Sequence, residues 1–103
     1  MATATVSIES QIKQKFHDYM RKVGGSYSDW YVGISENPRD RLFNGHSVRE
    51  KEDAWIYDSA SSSDIARRIE KYFLALGCAG GPGGGDRDAC GVYAYKKSWH
   101  TNP

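Results

Sequence analysis

A guanidinium, a carboxylate, a phenol and an imidazole are the side chains in this sequence whose types could do chemistry together. They belong to Arg41, Glu70, Tyr31 and His46. Arg41 speaks for phosphate, because a planar guanidinium grips phosphate oxygens by two hydrogen bonds and stays charged at any working pH. Glu70 follows Ala66 by four residues and precedes Phe73 by three, which sets it on the border of a helix's apolar stripe. Each residue also has an ordinary explanation. A glutamate in "ARRIEKYF" can bridge a neighbouring lysine or arginine in solvent, and an arginine on a short helix can simply be hydrated. Tyr31 fits an amphipathic strand position, with its ring packed and its hydroxyl wet. A histidine after glycine fits a loop.

The elements that must position these residues are readable from periodicity. Ile8, Ile12, Phe16, Tyr19 or Met20, and Val23 recur at helical spacing before Gly24-Gly25, so residues 7–23 form an amphipathic helix. "DWYVGIS" is aromatic and β-branched between turn signals and reads as a strand. Asn37 can cap and Pro38 can open a short helix over 37–44, ended by Gly45, with Arg41 one turn in. "AWIYDSA" is a second strand. "SSSD" caps a helix whose apolar stripe is Ile65, Ile69, Tyr72 or Phe73, and Leu76. "CAGGPGGGDRDAC" at 78–90 suits neither helix nor strand and serves as a flexible connector. The last strand, "GVYAYKK" at 91–97, sets Val92 and Ala94 on one face and Tyr93 and Tyr95 on the other. Residues 1–6 read as a frayed start. The expected class is α/β (α+β): a small, mainly antiparallel three-stranded sheet flanked by helices.

Composition narrows the field. At 103 residues the chain fits one domain, and 39% hydrophobic with 26% charged residues is an ordinary globular balance. A net charge of +1 is no footprint of nucleic-acid binding, so any positive field must be local. No apolar run reaches membrane-spanning length and no signal pattern opens the chain, which leads us to expect an intracellular protein with no membrane partner. Cys78 and Cys90 are expected as thiols, and two cysteines without a CxxC partner are a weak zinc signal. The glycine loop could approach a phosphate through its backbone, but it lacks the lysine-serine ending of a nucleotide-binding loop.

Taken together, "WYVGIS", an arginine ten residues after Tyr31, a strand, and then a helix carrying "ARRIEKYF" resemble the GIY-YIG nuclease family. "YVG" at 31–33 stands where that family has "YIG". The resemblance covers about residues 29–76 and implies a GIY-YIG-like domain over 1–103. Arg41 then matches the catalytic arginine, and Glu70 the single metal-binding glutamate. The family's first strand, "GIY", is missing ahead of Tyr31. "GVYAYKK" reads like that strand displaced to the C-terminus, so the resemblance implies a permuted order in which the last strand pairs beside "WYVGIS". Tyr93 then supplies the second tyrosine; Tyr19 is the alternative. The family's usual late asparagine and the lysine after "YIG" have no obvious counterparts.

The resemblance implies a Mg²⁺- or Mn²⁺-dependent endonuclease acting on DNA. Glu70 would hold the ion and Arg41 the non-bridging oxygens. Tyr31 would be the base, or would orient the water while His46 takes the proton. A phenol with a pKa of about 10 is ionised only about once in a thousand at neutral pH, so Tyr31 would need help. Arg39, Arg67, Lys71 and Lys96 are the candidate nucleic-acid contacts. With no room for an attached DNA-binding domain, specificity would come from a homodimer, from a targeting partner, or be slight. The alternative from the missing residues is a catalytically impaired DNA-binding or partner-binding protein of the same fold.

Overall fold

The computed structural model describes residues 7–81 and 87–103. The expected frayed start at 1–6 and the middle of the glycine connector, 82–86, lie outside the described residues. Helix α1 runs over Ile8–Val23, where the Ser7 side chain accepts from the Ser10 amide and caps the first turn. Its buried residues Ile12, Phe16 and Met20 are spaced four apart, so they form one stripe. Strand β1 spans Trp30–Ser35 and strand β2 spans Trp55–Ser59. Helix α3 covers Ser63–Leu76; Ser62 caps its start by accepting from the Ile65 amide, and Gly77 ends it in a left-handed conformation at φ 116°. Strand β3 is Gly91–Lys96.

The sheet order is β1-β3-β2, antiparallel throughout. The last strand in sequence thus lies in the middle and pairs directly beside "WYVGIS", with Gly33 opposite Tyr93 and Tyr31 opposite Tyr95. Burial explains the choice. β3 is buried from Gly91 to Tyr95, whereas β2 is only half buried and belongs at an edge. The free edge of β1 is covered by the segment after α3: Val32 donates to the Ala79 carbonyl at 2.9 Å, and Ala79 donates to the Trp30 carbonyl at 2.8 Å.

The two faces of the sheet differ. Helices α1 and α3 cover one, where Ile12, Phe16, Ile69 and Phe73 pack on Trp30, Val32, Ile34, Val92 and Ala94. The other carries a second, smaller cluster of Leu42, Val48, Tyr93 and Tyr95. The alternation expected of "GVYAYKK" therefore sorts its residues as read. One expectation needs correcting. Residues 37–44 are not a regular helix: α2 spans only Pro38–Asp40, then Arg41–Gly45 widens into a π turn closed by the His46 amide donating to the Arg41 carbonyl at 2.8 Å. Leu42, fully buried in the smaller cluster, anchors this turn and leaves Arg41 exposed.

The larger cluster should dominate stability. Phe73→Ala removes a fully buried ring that meets Phe16 at 5.8 Å between centroids. It should cost about 3–5 kcal/mol in urea unfolding, against roughly 1 kcal/mol or less for Leu76→Ala on the exposed side. Equal losses would contradict this division of the core.

Candidate active site

The face that carries the smaller cluster gathers three tyrosines and a histidine. In the antiparallel register Gly33 lies opposite Tyr93, and a Cβ at position 33 would overlap the Tyr93 hydroxyl. Glycine is needed here for space, since its φ is not left-handed. Tyr31 stacks beside Tyr95 at 5.2 Å and Tyr93 at 6.5 Å, and His46 lies 4.6 Å from the Tyr31 ring. The π turn delivers His46 into this group, where it is 8% exposed. Its Nδ1–H donates to the Asn102 carbonyl at 2.7 Å, with the Tyr95 hydroxyl a second neighbour at 3.2 Å. A carbonyl only accepts, so Nε2 is left with a lone pair and accepts from the Tyr93 O–H at 2.8 Å. Burial holds the His46 pKa below its usual value and Arg41 adds to the effect, although the bond to Asn102 opposes it. The lowered value favours the neutral imidazole.

Glu70 is 3% exposed, not the solvated side chain that its charged neighbours suggest. Its Oε2 is buried and has no hydrogen-bond partner. Burial raises its pKa, while Arg67 and Lys71 pull the other way. The helix bearing it packs on the face opposite the tyrosines, yet its charge is felt at the Tyr93 hydroxyl. Burial chiefly pushes that phenol above its usual range; Tyr31 and Glu70 add to the rise and Arg41 opposes it. The Tyr93 hydroxyl is hydrogen-bonded to the imidazole, and Tyr31, Arg41 and Glu70 exert smaller electrostatic effects on it than burial does. An unpartnered buried carboxylate oxygen costs on the order of 1–3 kcal/mol or more. A proton or a divalent cation would remove that cost, and a carboxylate is the type of donor that Mg²⁺ takes.

Other predicted residues lie elsewhere. Arg39 is paired with Glu50 at 3.1 Å and lies over the Phe43 and Trp55 rings, occupied with its own neighbours. Lys96, at the far end of β3 opposite Trp30, acts on Asp29. Arg67 and Lys71 flank Glu70 on α3. Tyr19, the alternative to Tyr93, accepts from the Trp55 amide at 3.1 Å and meets Trp30 edge-on, so it belongs to the opposite face. Both cysteines are free, and no group of three or more candidate ligands is present among the described residues. No helix among them is long and apolar enough to cross a membrane.

Two contributors escaped the sequence reading. Tyr95 shares a strand face with Tyr93, a signal that was available. Asn102 acts through its backbone carbonyl, and a backbone carbonyl leaves no mark in a sequence. No protein-family model matches the chain, and neither does any curated protein or solved structure.

The buried carboxyl makes a signed prediction. A pKa raised above the ordinary value of 4.5 means that stability is full below that value and is lost as pH rises through the folded-state value. Glu70→Gln removes the loss, so in chelator its melting temperature should exceed that of the wild type increasingly between pH 4 and pH 7. Mg²⁺ should then raise the wild-type value and leave that of the variant unmoved. Parallel pH curves without a metal response would refute the desolvated-carboxylate account.

Proposed function

We propose that this protein is a divalent-metal-dependent DNA endonuclease hydrolysing phosphodiester bonds. The observation that supports it best is Glu70, a buried carboxylate on α3 with one oxygen left without a hydrogen-bond partner. A guanidinium and a carboxylate able to hold a cation are the kinds of group that stabilise charge on a phosphate.

The chain's own residues divide the work. Arg41, exposed beside the cluster, holds the non-bridging oxygens and neutralises charge as it develops. A water attacks phosphorus as the bond to the 3′ oxygen breaks, leaving a 5′-phosphate and a 3′ alkoxide that takes its proton from solvent to become the hydroxyl. The water's proton goes to the Tyr93 oxygen, while the Tyr93 proton passes along its existing hydrogen bond to His46 Nε2. No free phenolate is required, which suits a phenol whose ionisation burial disfavours. Neutral His46 is the final acceptor. Tyr31 orients the water and packs the His46 ring. Glu70 is the residue that would hold a divalent ion, which when bound would supply positive charge to the phosphate and the departing oxygen. The base role thus moves from Tyr31, first choice from the sequence, to the Tyr93–His46 pair.

Supercoiled plasmid incubated with the protein and Mg²⁺ should be nicked, and chelator should stop it. Glu70→Ala and Arg41→Ala should each slow nicking by about 10²- to 10³-fold. Tyr93→Phe should lose on the order of 10²-fold or more with DNA binding kept, and Tyr31→Phe should lose less. The reverse order would return the base role to Tyr31. DNA binding without any nicking would favour the impaired binding protein.

A further inference from the structure

The proton acceptor is held from behind by the last turn of the chain. Residues 46 and 102 clamp each other: the Asn102 amide donates to the His46 carbonyl at 2.8 Å, and His46 Nδ1–H donates to the Asn102 carbonyl at 2.7 Å. The turn leading there is itself fixed. The Ser98 amide donates to the Thr101 hydroxyl at 2.9 Å, and that hydroxyl donates to the Ser98 carbonyl at 3.0 Å. His100 Nε2 lies 2.6 Å from Asp53 Oδ2, tying the turn to the loop after the π turn. Thr101 is buried.

We propose that the C-terminal turn, residues 98–102, is a positioning element that selects the Nδ1–H tautomer of His46 and so aims the Nε2 lone pair at Tyr93. In water a neutral histidine side chain favours the opposite tautomer. With that tautomer Nε2–H would point at the Tyr93 oxygen, leaving nothing to accept the Tyr93 proton, and the Asn102 carbonyl would lose its donor. Which nitrogen carries the hydrogen is decided by the bond the other one makes; here the Asn102 main-chain carbonyl, at 2.7 Å from Nδ1, can only accept, whereas the Tyr95 hydroxyl, at 3.2 Å, can accept or donate. No side-chain substitution at 102 can abolish it. The catalytic consequence rests on the nuclease reading; the tautomer assignment does not.

Two-bond ¹H–¹⁵N correlation spectra of the ¹⁵N-labelled full chain at neutral pH test it. They should show His46 with its Nδ1 in the N–H range and its Nε2 in the lone-pair range. Deleting Asn102-Pro103 should shift His46 toward the Nε2–H form and slow nicking by about tenfold to 10²-fold, with DNA binding and the backbone amide spectrum kept. His100→Ala, which frees the turn without shortening it, should give a mixture of tautomers. An Nε2–H tautomer in the intact chain would overturn the proposal, and so would an unchanged tautomer in the shortened one. Should the full chain fail to nick DNA, the spectra would still decide the tail's role, and the failure would count against the endonuclease reading alone.

Discussion

Tyr93 fills the space that a side chain at position 33 would take, and the rest of the site depends on that substitution of one residue's volume for another's. It requires a glycine at 33 and a register that sets 33 opposite 93. It also requires that the last strand lie between the first two, where burial on both faces suits "GVYAY" better than the half-buried "WIYDS". Given these, the phenol lies over β1 and meets His46 as the π turn brings it in. The glycine within the apolar strand "WYVGIS" is the gap through which the cluster is assembled.

Perturbed ionisable groups are common in small folds, and the comparison between two of them tells structure from function. His17, like His46, has its pKa lowered by burial, yet its two nitrogens lie 2.9 Å from the Tyr27 hydroxyl and 2.7 Å from that of Tyr72. That is a satisfied polar cluster between the helices, and it asks for no ligand. Glu70 is the opposite case. It is nearly inaccessible, its ionised form is disfavoured, and one oxygen has nothing to bond to. A fold that keeps such a group tolerates a local loss of stability, as binding and catalytic sites regularly do.

Much of the scaffold was legible because it rests on local rules. Serine caps at 7 and 62, a left-handed Gly77 and simple alternation in "GVYAY" each carry their own physical cause, and the elements formed where those causes lay. The pairing of the last strand beside "WYVGIS" was also foreseen, from a resemblance and not from periodicity. What was hidden depends on tertiary packing. The extra residue in the π turn has no signature in "RLFNGH". The place of Glu70 on the border of the apolar stripe was readable, but its near-complete burial among charged neighbours was not. Arg39 looks as free as Arg41 in "PRDRL", but Glu50 and two aromatic rings take it.

One claim carries the proposal: a divalent cation would bind against the Glu70 carboxylate, close enough to act with Arg41 and Tyr93 on one phosphate. Anomalous scattering from crystals soaked with Mn²⁺ measures this directly. The account predicts a single strong peak in coordination contact with Glu70, with a bound phosphate or DNA oxygen bridging it toward Arg41. A fully occupied peak elsewhere, with Glu70 left bare, would contradict it.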